Sequence, residues 1–296
     1  GAAPGTRETD LLSPGNMVQQ IHGITLCGGS AFGLDAASGV MRWLEAKGHG
    51  LSIGTVRIPI VPAAVVFDLW VGDARIRPDA ASGYRACEAA SRDPVAQGNV
   101  GAGAGATVGK VFGPQRAMKG GVGSAALQVG DVIVAALIVC NALGDVVDPH
   151  TGALIAGARE RADSLNLLNT VQAQLRGENA RNLSVGSNTT IGVIATNASL
   201  NKSQAQRLAQ LGHDQFFVLA TLVGRRQRRL CVNIENPTAV DEGFLEVGGG
   251  LLVERLDVDD ALLLFVETTE SFLQLLLFDV ELKFAFENWD NIVKCE

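Results

Sequence analysis

At 296 residues the chain can bury a large core, as one large domain or two ordinary ones. Its 47% hydrophobic and 19% charged content is that of an ordinary, slightly apolar globular protein. A net charge of −7 argues against nucleic acid as a main partner.

The opening residues, Gly1-Ala2-Ala3-Pro4-Gly5-Thr6-Arg7, contain no basic segment followed by an apolar one, so no signal peptide is read there. Residues 21–26 are expected to form a strand, and Cys27-Gly28-Gly29-Ser30 a turn. Residues 31–47 follow as a helix, with Phe32, Ala36, Val40, Trp43 and Leu44 at helical spacing and Gly48 ending it. A Gly-Gly-Ser turn entering a helix can hold an anion or simply let backbone pack closely, and the second reading is favoured. Ile58-Pro59-Ile60-Val61-Pro62 reads as an edge or irregular strand because proline cannot donate to a ladder. Residues 79–91 read as a short helix.

Residues 99–110, Asn99-Val100-Gly101-Ala102-Gly103-Ala104-Gly105-Ala106-Thr107-Val108-Gly109-Lys110, alternate small residues. The run is not a phosphate loop: Ala104 stands where the first glycine belongs, and Val111 follows the lysine in place of Ser or Thr. Close approach of strands or of a ligand's backbone is the better reading. Residues 119–149 read as a hairpin turning at Gly130-Asp131, with the apolar run 132–140 ending at Asn141. An amide at that strand end is either a turn residue or a donor to a developing oxyanion. The segments 153–161 and 165–175 are expected to be helical, followed by a polar loop suited to an internal cut.

Leu183-Ser184-Val185-Gly186-Ser187 leads into Asn188-Thr189-Thr190-Ile191-Gly192-Val193-Ile194-Ala195-Thr196-Asn197. The apolar run 191–195 reads as a buried strand entered from a loop, with Thr189 at its mouth. No neighbouring His or Lys in sequence can serve Thr189 as a base. Cleavage of the Asn188–Thr189 bond would give Thr189 a free α-amine, with a reference pKa of about 8, able to act as base for its own hydroxyl. The other reading is that Asn-Thr-Thr simply begins a strand. Residues 203–211 are expected to be a helix with Ser203 as N-cap, and residues 216–221 a strand.

The last 56 residues, 241–296, hold 14 acidic and 3 basic residues, leaving +4 on the first 240. The basic cluster Arg225-Arg226-Gln227-Arg228-Arg229 precedes this break and reads as a solvated loop. The five cysteines, Cys27, Cys87, Cys140, Cys231 and Cys295, form no CxxC pair and are odd in number, which fits a reducing, cytoplasmic compartment. The histidines His22, His49, His150 and His213 have no ligand spacing, so neither a metal nor any other cofactor is expected. The apolar runs 132–140 and 261–278 are too short or too interrupted to span a membrane.

The stretch Asn188 to Ala198 resembles the processing site of the P1 peptidase family, the self-cleaving L-aminopeptidase/D-esterase (DmpA-like) and β-aminopeptidase enzymes. Gly28-Gly29-Ser30-Ala31-Phe32-Gly33-Leu34-Asp35-Ala36-Ala37, the run 99–110 and the stretch 139–149 resemble other signatures of that family, in the same order, across residues 1–222. The resemblance implies an α+β fold, a four-layer αββα sandwich, made as a precursor. Self-cleavage between Asn188 and Thr189 would give chains 1–188 and 189–296 that stay together, with 223–296 unassigned. Thr189 would be the nucleophile and Asn141 an oxyanion donor. Substrates would be short peptides, amides or esters with a free amino end, and the assembly a homo-oligomer without nucleic-acid or membrane partners. Family members begin a few tens of residues earlier, so the natural N-terminus is expected to be missing. The sequence departs from the family in two places. A segment of roughly twenty residues after His213-Asp214, carrying a hydroxyl and a carboxylate that assist the nucleophile, has no counterpart, and the only tyrosine is Tyr84. Two other readings stand beside this one: an ornithine-acetyltransferase-like acyl transferase, and an uncleaved homologue acting as a scaffold or binding protein.

Overall fold

The computed structural model describes residues 4–148, 151–180 and 187–221, together with the strands 244–247, 251–254, 262–268 and 292–294; side chains are described through His213. The strands are β1 (Thr6–Arg7), β2 (Ile24–Cys27), β3 (Leu51–Ile53), β4 (Val56–Ile58), β5 (Ala63–Val65), β6 (Thr107–Val108), β7 (Met118–Lys119) and β8 (Gly121–Val129). They continue as β9 (Val132–Asn141), β10 (Val146–Val147), β11 (Leu154–Ala156), β12 (Thr189–Thr196), β13 (Phe244–Val247), β14 (Leu251–Glu254), β15 (Leu262–Thr268) and β16 (Ile292–Lys294). The helices are α1 (Ala36–Ala46), α2 (Ala80–Glu88), α3 (Thr170–Leu175) and α4 (Lys202–Thr221). The fold is α+β.

Two four-stranded sheets carry the core. One has the order β1-β5-β2-β16, with β2 parallel to both β5 and β16. The other, β15-β12-β9-β8, is antiparallel throughout. Alternation along the strands decides what each face meets. Leu137, Val139, Ile191 and Val193 point one way and join Ile24, Leu26, Ala64 and Val66 of the first sheet in one cluster. Ile194 points the other way and packs with Ala205 and Ala209 of α4. On the far side of the first sheet, Cys27, Ala63 and Val65 pack against Ala36, Ala37, Val40 and Leu44 of α1. Packing of this kind buries both faces of β12 and one face of β9, whose other face is partly covered and leaves Val134 37% exposed. This is why these two strands read as nearly continuous apolar runs.

The hairpin expected at 119–149 is present, turning through Gly130 at φ 59, a left-handed conformation that glycine adopts without penalty. The Gly/Ala run works by close approach: a Cβ on Gly109, itself at φ 72, would collide with the backbone of Gly157 and Ala158. Four expectations need correction. The helix expected from residue 31 begins as a 3-10 turn, Ser30–Asp35, and becomes α-helical only at Ala36. The helix expected over 153–161 is instead strand β11, because Gly152 at φ 72 turns the chain back and β11 pairs with β10. The second helix of that connector is shorter, α3, started by Asn169, whose Oδ1 accepts from Gln172 N at 2.9 Å. Finally, α4 starts at Lys202 rather than after Ser203, and it runs on through Thr221, so the strand expected at 216–221 is helical. Its cap is reciprocal: Asn201 Oδ1 accepts from Gln204 N at 3.0 Å, and Asn201 N donates to Gln204 Oε1 at 2.8 Å. The basic cluster 225–229 and His150 lie outside the described residues. Among the described residues no helix is long and apolar enough to cross a membrane.

Candidate active site

The mouth of β12 and the end of β9 meet in register: Thr189 is paired with Asn141. Both share the face of Ile191, Val193, Leu137 and Val139, the face turned toward the first sheet. Asn141 is fully buried and Thr189 is 7% exposed, so each lies at the edge of the inter-sheet core and not on the open surface.

A buried amide must satisfy its hydrogen-bonding groups, and Asn141 does so with partners from two segments. Its Nδ2 donates to the Phe67 carbonyl at 2.8 Å, and its Oδ1 accepts from Thr107 N at 3.0 Å and from Lys110 Nζ at 2.8 Å. One of the two Nδ2 hydrogens has a partner in Phe67, so the other is available to a second acceptor.

Lys110 is the residue that sequence reading missed. It is 1% exposed, and its Nζ donates to Asn141 O at 2.9 Å, Asn141 Oδ1 at 2.8 Å and Ser187 O at 3.0 Å. Three acceptors match the three N–H groups of an ammonium. Burial nevertheless pushes its pKa down from the ordinary 10.5 to about 7, because charge is disfavoured away from water. One signal was readable: a lone lysine between Val108 and Val111-Phe112 sits in an apolar stretch, where a cation is costly unless it has work to do.

Asn188, between Ser187 and Thr189, has a buried Oδ1 with no hydrogen-bond partner among the described residues. Next to Phe67 stands Asp68, whose Oδ1 accepts from Gly29 N at 2.7 Å. Burial pushes the Asp68 carboxyl pKa up. A Cβ at Gly28 or Gly105 would run into this side chain, which explains why two of the sequence-level signature stretches carry glycine there. The Gly28-Gly29 turn therefore seats a carboxylate from the loop beside Asn141.

The remaining candidates lie elsewhere. His213 belongs to α4, which packs through Ala205 and Ala209 on the face of β12 opposite to Thr189. Tyr84 lies on α2, against α1; a Cβ on Gly39 would meet Tyr84 N. Among the described residues no cluster of three or more His, Cys, Asp or Glu side chains is arranged to hold a metal ion.

Comparison with known proteins bears on the same span. A family model described as peptidase family S58 matches residues 1–222. Over 227 residues the chain is 48% identical to a protein of Mycobacterium tuberculosis named as an uncharacterized aminopeptidase, covering 72% of this chain and 61% of that one. A similarly named aminopeptidase of Mycobacterium leprae is 44% identical over 223 residues, covering 72% and 59%. A 6-aminohexanoate-oligomer endohydrolase of Paenarthrobacter ureafaciens is 30% identical over 194 residues, covering 65% and 54%. The chain thus spans between 54% and 61% of the length of these relatives. Thr189, Asn141, Lys110 and Asp68 all fall inside the matched region, and the chain belongs to peptidase family S58.

Proposed function

We propose that the protein is a self-cleaving amidohydrolase of the N-terminal-nucleophile type, acting on short peptides, amides or esters with a free amino end. The observation that carries this is the register pairing of Thr189 with Asn141, with Lys110 joining Asn141 to the Ser187 carbonyl. Cleavage of the Asn188–Thr189 bond would yield chains 1–188 and 189–296. They would stay together through the eight-residue pairing of β12 with β9 and through Lys202, whose Nζ donates to the carbonyls of Leu11, Asn16 and Val18. The packing of α1 against one sheet, of the two sheets together and of α4 against the other supports a four-layer αββα sandwich as the frame.

In the processed protein the Thr189 hydroxyl attacks the substrate carbonyl, and its own α-amine takes the proton. Asn141 presents its second Nδ2 hydrogen toward the developing oxyanion. Lys110 holds Asn141 in that orientation and places a positive charge where negative charge develops. Once the 187–188 segment leaves, Lys110 loses one of its three acceptors, which favours proton exchange with the new amine. The Asp68 carboxylate supplies a counter-charge for the amino end of a substrate. The relatives' names include both aminopeptidase and 6-aminohexanoate-oligomer endohydrolase, so amide substrates with an amine at either α or ω spacing fit the reading. The assembly is proposed to be a homo-oligomer in the cytoplasm; five cysteines, odd in number and without a CxxC pair, support a reducing compartment.

Turnover of aminoacyl p-nitroanilides and of 6-aminohexanoate amides by wild type and Thr189→Ala tests the reading. Hydrolysis of at least one class by wild type alone is expected. No hydrolysis of either by wild type would favour the scaffold reading.

A further inference from the structure

The residue on the acyl side of the scissile bond is under a load that the rest of the site does not share. Asn188 Oδ1 is buried and unpartnered among the described residues. Both of its neighbours are held in place. Ser187 is 2% exposed and its carbonyl is held by Lys110, while Thr189 is locked into β12 opposite Asn141. The three N–H groups of Lys110 point to other acceptors. A buried acceptor without a partner loses its hydration and gains nothing in return.

We propose that Asn188 is a strain-bearing residue that drives self-cleavage: its buried Oδ1, unpartnered among the described residues, raises the energy of the intact loop and is released when the 188–189 bond breaks. The inference rests on the reading of that bond as the self-cleavage site. In the step, the Thr189 Oγ–C bond to the Asn188 carbonyl carbon forms as the C–N bond breaks, and the hydroxyl proton ends on the Thr189 amine. Water then hydrolyses the ester, leaving an Asn188 carboxylate and a free Thr189 hydroxyl. As the C–N bond gives way to the longer link through the Thr189 Oγ ester, the Asn188 side chain can move toward solvent and hydrate. Destabilisation present in the intact chain and relieved along the reaction lowers the barrier.

The test uses Asn188→Leu, which keeps the volume and removes the orphaned acceptor. Freshly made full chain is followed by denaturing mass spectrometry. Self-cleavage is expected to slow by about fivefold or more, the rate equivalent of relieving one orphaned buried acceptor. In a Thr189→Ala background, where no cut occurs, Asn188→Leu is expected to raise the thermal midpoint by about 2 °C or more. Equal or faster cleavage by Asn188→Leu, or a midpoint unchanged or lowered in the uncut background, overturns the inference while leaving the self-cleavage reading in place. A wild type that never cleaves overturns both.

Discussion

Thr189 and Asn141 face each other across β12 and β9, and Lys110 ties Asn141 to the carbonyl of Ser187, two residues upstream of Thr189. The arrangement places a hydroxyl, an amide and a buried ammonium around one peptide bond. Each can be removed separately.

Replacing Asn141 with alanine removes the proposed oxyanion donor and also orphans Thr107 N and one N–H of Lys110. Turnover is expected to fall by about 10²–10³, the usual cost of one such donor. Stability should fall by about 1–3 kcal/mol for the groups left unsatisfied. Steady-state kinetics with a parallel urea titration separates the two. A change in kcat of less than about threefold would return Asn141 to a structural role.

Lys110→Met keeps the length of the side chain and removes the buried charge. Self-cleavage and turnover should both drop steeply, and stability should fall as well, because Asn141 O, Asn141 Oδ1 and Ser187 O each lose a buried donor. The pH dependence has a definite sign. Lys110 has its pKa lowered from 10.5 to about 7 in the folded protein, so between those values the unfolded chain binds the proton that the folded chain does not. Stability therefore rises with pH through that window, and the contribution is absent at and below about pH 7. Chemical denaturation at pH 7 and pH 10 should show this gain in wild type and a smaller one in Lys110→Met. An equal gain in both proteins would remove Lys110 as its source.

Strand β9, strand β12 and the turn at Gly130 were legible because a buried strand announces itself as an apolar run between turn residues. Thr189 and Asn141 were legible through the stretches that surround them. Lys110 was not, because its meaning depends on partners 31 and 77 residues away, and no local pattern records a pairing across that distance. Asp68 escaped notice for the same reason: Gly29, its partner, is 39 residues away. Misread elements have local causes as well. Residues 154–156 lack any strong mark of either state, and the β10–β11 pairing decided them. The first turn of α4 is set by the Asn201–Gln204 cap, which outweighs the hydroxyl of Ser203 two residues later.

Asp68 offers a test of substrate recognition. Asp68→Asn keeps the hydrogen bond to Gly29 N and removes the charge. KM for a substrate with a free amine should rise by about tenfold or more, while an N-acetylated analogue of the same amide loses little, because only the first has an ammonium to pair. Equal effects on both analogues would show that Asp68 only shapes the turn.

If the Thr189 amine is the base, the rate should rise with pH through one ionisation at or below its reference range of about 7.7–8.0, since partial burial disfavours the ammonium. Selective acetylation of that amine should abolish turnover. Full activity after verified acetylation would contradict the amine's role and point to Lys110 instead.

The most direct test of the central claim is the intact mass of the purified protein under denaturing conditions, beside that of Thr189→Ala. The account predicts two fragments from wild type, one beginning at Thr189, and a single full-length chain from the variant. A wild type that remains one chain after long incubation, or a Thr189→Ala protein that is cut at the same bond, would contradict it.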